Sequence, residues 1–183
     1  LFEILYHYTS CLVSVHAGIL AAIDGLEDYA QTSLFYERYV GYVSQEDPLY
    51  AKDSIRTADV AASGQLWLLD EGHCFRDQMV RFCQMKASQT SQLAYGLGSM
   101  ETFMRMVESG MGITFIPELA SLQLSDSQKE LVRPFAIPIP TRELVLLTNR
   151  NFIRQTMLNV LVSEIQACIP KSMLKLNAGQ TLV

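Results

Sequence analysis

Cys74 and Cys83 stand nine positions apart and restrict what the segment between them can fold into. From Phe75 onward the apolar residues Phe75, Met79, Phe82 and Cys83 recur at i, i+4, i+7 and i+8, one face of a helix. A helix rises about 1.5 Å per residue, which holds the two backbones roughly 13 Å apart. A disulfide needs Cα atoms within about 7 Å. The segment is therefore either helical with two separate thiols, or bridged with its helix unwound.

The two sulfurs differ in setting. Cys74 falls at the helix N-terminus, next to His73 and near Arg76 and Arg81. The helix dipole, the free N–H groups of the first turn and the nearby positive charge all favour a thiolate. A thiolate is the species that peroxide oxidises, first to a sulfenic acid and then, with a second thiol, to a disulfide. Cys83 lies on the apolar stripe and is expected to be buried, as suits a resolving cysteine hidden until the segment moves. The alternative is a pair of ordinary core cysteines, since free Cys is among the most buried residue types.

The chain has 183 residues, enough to bury a real core, and 49% of them are apolar. Its 14 Lys and Arg against 19 Asp and Glu give a net charge of −5. That balance argues against this portion holding DNA, because neutralising phosphates takes clustered basic residues. No run of 18 apolar residues predicts a membrane span, and the opening Leu1-Phe2-Glu3-Ile4 lacks the charge pattern of a signal peptide. With no export signal, four cysteines fit a reducing cytoplasm better than a secreted disulfide framework. Cys11 and Cys168 are expected to be inert, Cys168 on the core face of the last helix.

Short apolar runs alternate with helical patterns, which predicts βαβ units and parallel sheets. Strands are expected at 18–23, 39–44, 66–69, 113–116 and 144–148, and helices at 75–86, 100–109 and 152–167. Ser99 suits an N-cap and Glu101 a first turn, while Gly110 and Gly112 stop that helix. In the last helix Ile153, Met157, Leu161, Ile165 and Cys168 follow helical spacing, and Pro170 ends it. No Ser-, Pro- or Gly-rich linker and no repeat divides the chain.

Other constellations read as structural. The histidines His7, His16 and His73 make no close pair with a cysteine of the kind zinc requires, so no metal and no cofactor is expected. Gly96-Leu97-Gly98-Ser99 lacks the rest of a phosphate loop and reads as a strand-to-helix turn. Met100, Met104, Met106 and Phe103 fit core packing better than a soft-metal site. Arg76 and Asp77 alone read as a solvated helix face, and Arg142 as a surface salt bridge.

The stretch 36–150 resembles the regulatory domain of the OxyR group of LysR-type transcriptional regulators. The resemblance centres on Asp70-Glu71-Gly72-His73-Cys74-Phe75-Arg76-Asp77-Gln78, with Phe82-Cys83 downstream. It looks like that group's Gly-His-Cys-x-Arg-Asp core with a second Cys nine residues on. A second block, Gly98-Ser99-Met100-Glu101-Thr102 followed by Met106 to Thr114 and Ile116-Pro117, is similar to a motif common across LysR-type domains. The first twenty residues depart from the pattern: the opening strand and helix, which supply a threonine to the peroxide pocket, have no counterpart before Leu1, and the segment from Thr9 to Gly18 is short. A fragment of a longer protein is the expectation.

The resemblance implies two periplasmic-binding-protein-like α/β subdomains joined by two crossing segments, residues 1–38 with 144–183 and residues 39–143. It implies Cys74 as peroxidatic and Cys83 as resolving cysteine, with His73, Asp77 and Arg142 around a pocket for hydrogen peroxide. It further implies a homodimer that becomes a tetramer at full length, an upstream winged helix-turn-helix for DNA, RNA polymerase as a contact, and a glutaredoxin- or thioredoxin-type reductant. The function expected is redox control of oxidative-stress genes, not an enzyme. Two alternatives stand: a LysR-type domain binding a small metabolite in the cleft between subdomains, and a thiol peroxidase or acyl-transfer enzyme with Cys74 as nucleophile and His73 as base. Adjacent residues on a turn rarely point at one another, which weighs against the enzyme.

Overall fold

The computed structural model describes residues 17–62, 65–68, 74–83 and 99–183, without the side chains of residues 61, 62, 74 and 75. The chain divides into two compact units. Unit 1 takes Leu1–Glu37 and Arg142–Ala178; unit 2 takes Arg38–Thr141 and Gly179–Val183. Two long strands carry the chain from one unit to the other: β2 (Tyr29–Val43) and β6 (Ile139–Asn149).

In unit 1, β1 (Ala17–Ala21) pairs antiparallel with the second half of β6, from Ala17 opposite Thr148 to Ala21 opposite Leu144. Leu144, Val145, Leu146 and Leu147 are all buried, so this run is covered on both faces and shows no alternation.

Unit 2 is organised by the two-residue period of its strands. β4 (Ile113–Pro117) lies between β2, antiparallel, and β3 (Leu66–Trp67), parallel. β5 (Val132–Pro134) pairs with β2. Tyr39, Val43, Leu66, Leu68, Ile113 and Phe115 fall in one buried cluster, and Val40, Tyr42, Trp67 and Ile116 in another. Each cluster recruits its own helix. Met79 of α2 (Cys74–Phe82) and the adjoining Cys83 belong to the first cluster, whereas Phe103 and Val107 of α3 (Met100–Glu108) belong to the second. The sheet of this unit is thus an α/β layer with a helix on either face, which explains why its central strands are apolar on both sides.

Local chemistry fixes α3 at both ends. The Ser99 side chain accepts from the Thr102 N–H at 3.2 Å, and Gly110 and Gly112 take positive φ values of 93° and 63° after the last turn. Between these ends Phe103 is buried, and Met100, Met104 and Met106 are half-buried against the same cluster, as core packing requires.

Several expectations are corrected. Parallel sheets were expected; β1 with β6, β2 with β4 and β2 with β5 are antiparallel, whereas β3 with β4 and β6 with β7 (Gln180–Leu182) are parallel. Each of these antiparallel pairings involves one of the two crossing strands, β2 or β6. Those strands are also longer than expected: β2 begins at Tyr29 although residues 29–33 are exposed and lack apolar alternation. The tail differs as well. Residues 144–183 were expected to stay together, but β7 pairs with Ile139–Thr141 and draws Gly179–Val183 into unit 2.

The last helix, α6 (Gln155–Cys168), comes after the short α1 (Thr57–Ala62), α4 (Glu118–Leu122) and α5 (Asp126–Lys129), and it turns a different face inward from the one its sequence suggests. Leu158 is its buried residue, while Ile153, Met157 and Leu161 are 92%, 54% and 41% exposed and Cys168 is an exposed free thiol. Apolar residues cover more than half of the circumference of this helix, so periodicity alone does not single out the inward stripe within that face. Residues 84–86 of the expected helix, residue 69 of the expected strand, the Gly96-Leu97-Gly98 turn, Cys11, His7 and His16 lie outside the described residues. No helix among the described residues is long and apolar enough to cross a membrane.

Candidate functional site

The expected redox segment is helical. Cys74 opens α2, so its backbone is in the first turn, where N–H groups lack intrahelical acceptors and the helix dipole presents its positive end. The helix closes nine residues later, with the Cys83 N–H donating to the Met79 carbonyl at 2.9 Å. Met79 is fully buried and Cys83 is 3% exposed, both packed among Tyr39, Val43, Leu66, Ile113 and Phe115. Burial pushes the Cys83 thiol up to about 12, so this sulfur is protonated at neutral pH. Cys83 is a free thiol, and the Cys74–Cys83 bridge is therefore not formed here. The arrangement suits a thiol that cannot act as a nucleophile until its helix moves.

The remaining expected site residues divide. Asp77 is exposed on the first turn of α2. Its neighbour Arg76 is buried at 7% exposure, which corrects the reading of the two as one solvated face. His73 lies outside the described residues. Arg142 is not a surface salt bridge. It belongs to unit 1, where its Nε and Nη2 donate to the same Oε2 of Glu37 at 2.9 and 2.6 Å, and the Glu37 side chain is 3% exposed. Cys74 and Asp77 thus lie on one helix of unit 2 with Cys83 directly after it, while Arg142 is held by a buried carboxylate in unit 1.

Two buried polar residues beside the expected site were not singled out by the sequence. Gln78, inside α2 and 7% exposed, accepts at 2.8 Å from the hydroxyl of Tyr39, which is fully buried on β2. Glu37 is buried in a strand whose neighbours are polar. Only the helical position of Gln78, next to Met79 on the inward side, offers a hint. Among the described residues no group of three or more His, Cys, Asp or Glu is placed to hold a metal ion.

Residues 14–168 match the family model of the LysR substrate binding domain. A hydrogen peroxide-inducible genes activator of Haemophilus influenzae is 30% identical over 129 residues, 70% of this chain and 42% of that protein. The DNA-binding transcriptional dual regulator OxyR of Escherichia coli K12 is 33% identical over 102 residues, 56% of this chain and 33% of that protein. The chain thus spans less than half the length of these curated relatives. Among solved structures, reduced OxyR from Porphyromonas gingivalis matches with a TM-score of 0.84 at 45% identity, over 99% of this chain and 82% of that one. The reduced OxyR regulatory domain of Pseudomonas aeruginosa matches with a TM-score of 0.73 at 28% identity, over 91% and 77%. A helix that separates two cysteines, on a two-unit α/β scaffold with these relatives, leaves one assignment: the chain belongs to the LysR substrate-binding domain family, and within it to the OxyR regulatory domains.

Proposed function

We propose that the chain is the peroxide-sensing regulatory domain of a LysR-type transcriptional activator of oxidative-stress genes. The observation that carries this reading is the placement of a buried, protonated Cys83 at the end of the helix that Cys74 begins. The Cys74 thiolate attacks one oxygen of hydrogen peroxide, the O–O bond breaks, and hydroxide leaves to become water. Cys74 then carries a sulfenic acid. Once α2 unwinds, Cys83 gives up its proton and attacks the Cys74 sulfur, the S–O bond breaks, and a second water departs. Two thiols are oxidised to one disulfide while one peroxide is reduced to two waters.

The resemblance adds His73, Asp77 and Arg142 as residues of the peroxide pocket, and Glu37 orients Arg142 within unit 1. The bridge removes the helix as an option and so selects a second packing of the segment, which changes how two copies pair. Unwinding takes Met79 out of its pocket, and a fully buried side chain of that size is worth roughly 1.5–3 kcal/mol. Reduction by a glutaredoxin- or thioredoxin-type protein therefore restores the helix. The domain works as a homodimer, and as a tetramer in the longer protein, in the cytoplasm. A winged helix-turn-helix upstream contacts DNA, and RNA polymerase reads the change. Exposed Met157, Val160 and Leu161 on α6 support association with another copy. The domain is a switch, not an enzyme, and Cys168 takes no part in it.

Mass spectrometry after one equivalent of peroxide tests the reading. A Cys74–Cys83 bond without sustained peroxide consumption is expected. Sustained consumption with a thiol reductant would make the chain a peroxidase. An unreacted Cys74 would leave a metabolite-binding domain with incidental cysteines.

A further inference from the structure

We infer that the hydrogen bond from Tyr39 to Gln78 is a latch that sets the redox potential of the Cys74–Cys83 couple, with Tyr39 as a positioning residue. This rests on the proposed disulfide switch and adds the element that determines how readily it closes. Gln78 sits four residues after Cys74 and five before Cys83, in the middle of the helix that must unwind. Its Oε1 accepts from the Tyr39 hydroxyl at 2.8 Å, and both residues are buried. The surroundings are apolar: Val43, Leu66, Met79, Ile113 and Phe115. A hydrogen bond in such a medium is stronger than in water.

The two partners are unequally free to move. Tyr39 is held on β2 opposite Pro117 of β4, and the preceding Arg38 is anchored by a two-pronged ion pair with Glu118. The donor therefore stays where it is. Gln78 travels with α2. Forming the disulfide pulls Gln78 off Tyr39, so the bond counts only on the reduced side of the equilibrium. Any interaction present on one side alone shifts the potential by its full worth.

The test is equilibration of the whole chain in glutathione redox buffers, with the Cys74–Cys83 bond quantified by mass spectrometry. Tyr39→Phe leaves Gln78 without this donor in the helix and costs the bridged form nothing comparable. The variant is expected to raise the ratio of bridged to reduced protein about tenfold at fixed buffer, a potential about 30 mV more negative for a two-electron couple. Gln78→Met, which removes the acceptor at similar length, should act in the same direction. The double variant should shift no further than either single one, because both remove the same bond. A residue that merely stabilised the unit would weaken both forms alike and leave the potential unmoved. An unchanged ratio in Tyr39→Phe, with the bridge still forming, overturns the latch and leaves the switch standing. Additive shifts in the double variant overturn it too. Absence of any bridge in the wild-type chain, with glutathione or with peroxide, overturns both.

Discussion

Arg142 places two donors on one carboxylate oxygen of Glu37, a residue 105 positions earlier in the chain. Both belong to unit 1, and each follows or precedes the point where its strand passes to unit 2. The Glu37 side chain is 3% exposed and that of Arg142 18%. A charge this deeply buried is tolerated because its partner is present with good geometry.

Removing one member of the pair strands the other. Arg142→Ala is expected to lower the stability of the chain by about 3 kcal/mol, the low end for breaking a buried pair because Arg142 keeps some water contact. Glu37→Leu with Arg142→Met should recover most of that loss, since an apolar pair of similar volume needs no compensation. Urea unfolding of the unaltered chain and the two variants measures it. A loss under 0.5 kcal/mol (about the noise of a surface substitution) in Arg142→Ala would mean that the pair does not hold this unit together.

Cys83 makes stability depend on alkaline pH. Burial raises its thiol from the ordinary 9.0 to about 12. Between those values the unfolded chain has released the proton and the folded one has kept it. The unfolded state then binds fewer protons, and stability falls as pH rises. The contribution is intact below about pH 9 and is lost progressively toward pH 12. Unfolding measured at pH 8, 9.5 and 10.5 should show a decline that Cys83→Ser lacks. Parallel curves for the two proteins would show that burial does not hold this proton. The same burial predicts that iodoacetamide labels Cys74 well before Cys83 at neutral pH.

Gly112 is required where β4 begins. Its φ is +63°, and a Cβ there would lie 2.3 Å from the Gln65 carbonyl oxygen, closer than atoms approach. The Ile113 N–H donates to that same carbonyl at 2.9 Å, which seats β3 beside β4. Gly112→Ala combines a left-handed backbone with a clash against main chain that cannot rotate away. A loss of about 2 kcal/mol or more follows, exceeding the 1–2 kcal/mol of the backbone conformation alone. Gly25→Ala is the control, with a φ of +87° and open space around its Cβ position. Equal losses in the two variants would remove the clash from the account.

How legible each feature was in the sequence follows from the range of the interaction that makes it. α3 was readable because Ser99, Glu101, Gly110 and Gly112 act within a few residues of the helix they bound. The burial of Cys83 was readable from its place on the stripe with Met79. The inward face of α6 was not, because Met157, Leu158, Val160 and Leu161 are all apolar and only packing within unit 1 selects Leu158. The first part of β2 was hidden for a related reason: residues 29–33 are all exposed and carry no apolar alternation to mark a strand. Glu37 with Arg142, and Tyr39 with Gln78, join positions 105 and 39 apart, and no local rule brings such residues together.

In the reduced chain nine residues from Cys74 to Phe82 are helical, and about 13 Å of helix rise separates residues that a disulfide must bring within about 7 Å. Bridge formation must therefore break main-chain hydrogen bonds, including that from the Cys83 N–H to the Met79 carbonyl. Amide exchange should be slow across residues 78–83 in the reduced chain, because Gln78, Met79 and Cys83 are buried as well as hydrogen-bonded. Oxidation should speed exchange there while β4 and α3, which belong to the rest of the unit, keep their protection. Cys83→Ser separates the two chemical steps. Peroxide should still add an oxygen to Cys74 in that variant, yet exchange across 78–83 should stay slow, because a sulfenic acid alone imposes no distance limit. A wild-type chain that forms the bridge with unchanged protection across 78–83 would show that the two cysteines meet without unwinding the helix, and the switch described here would be wrong.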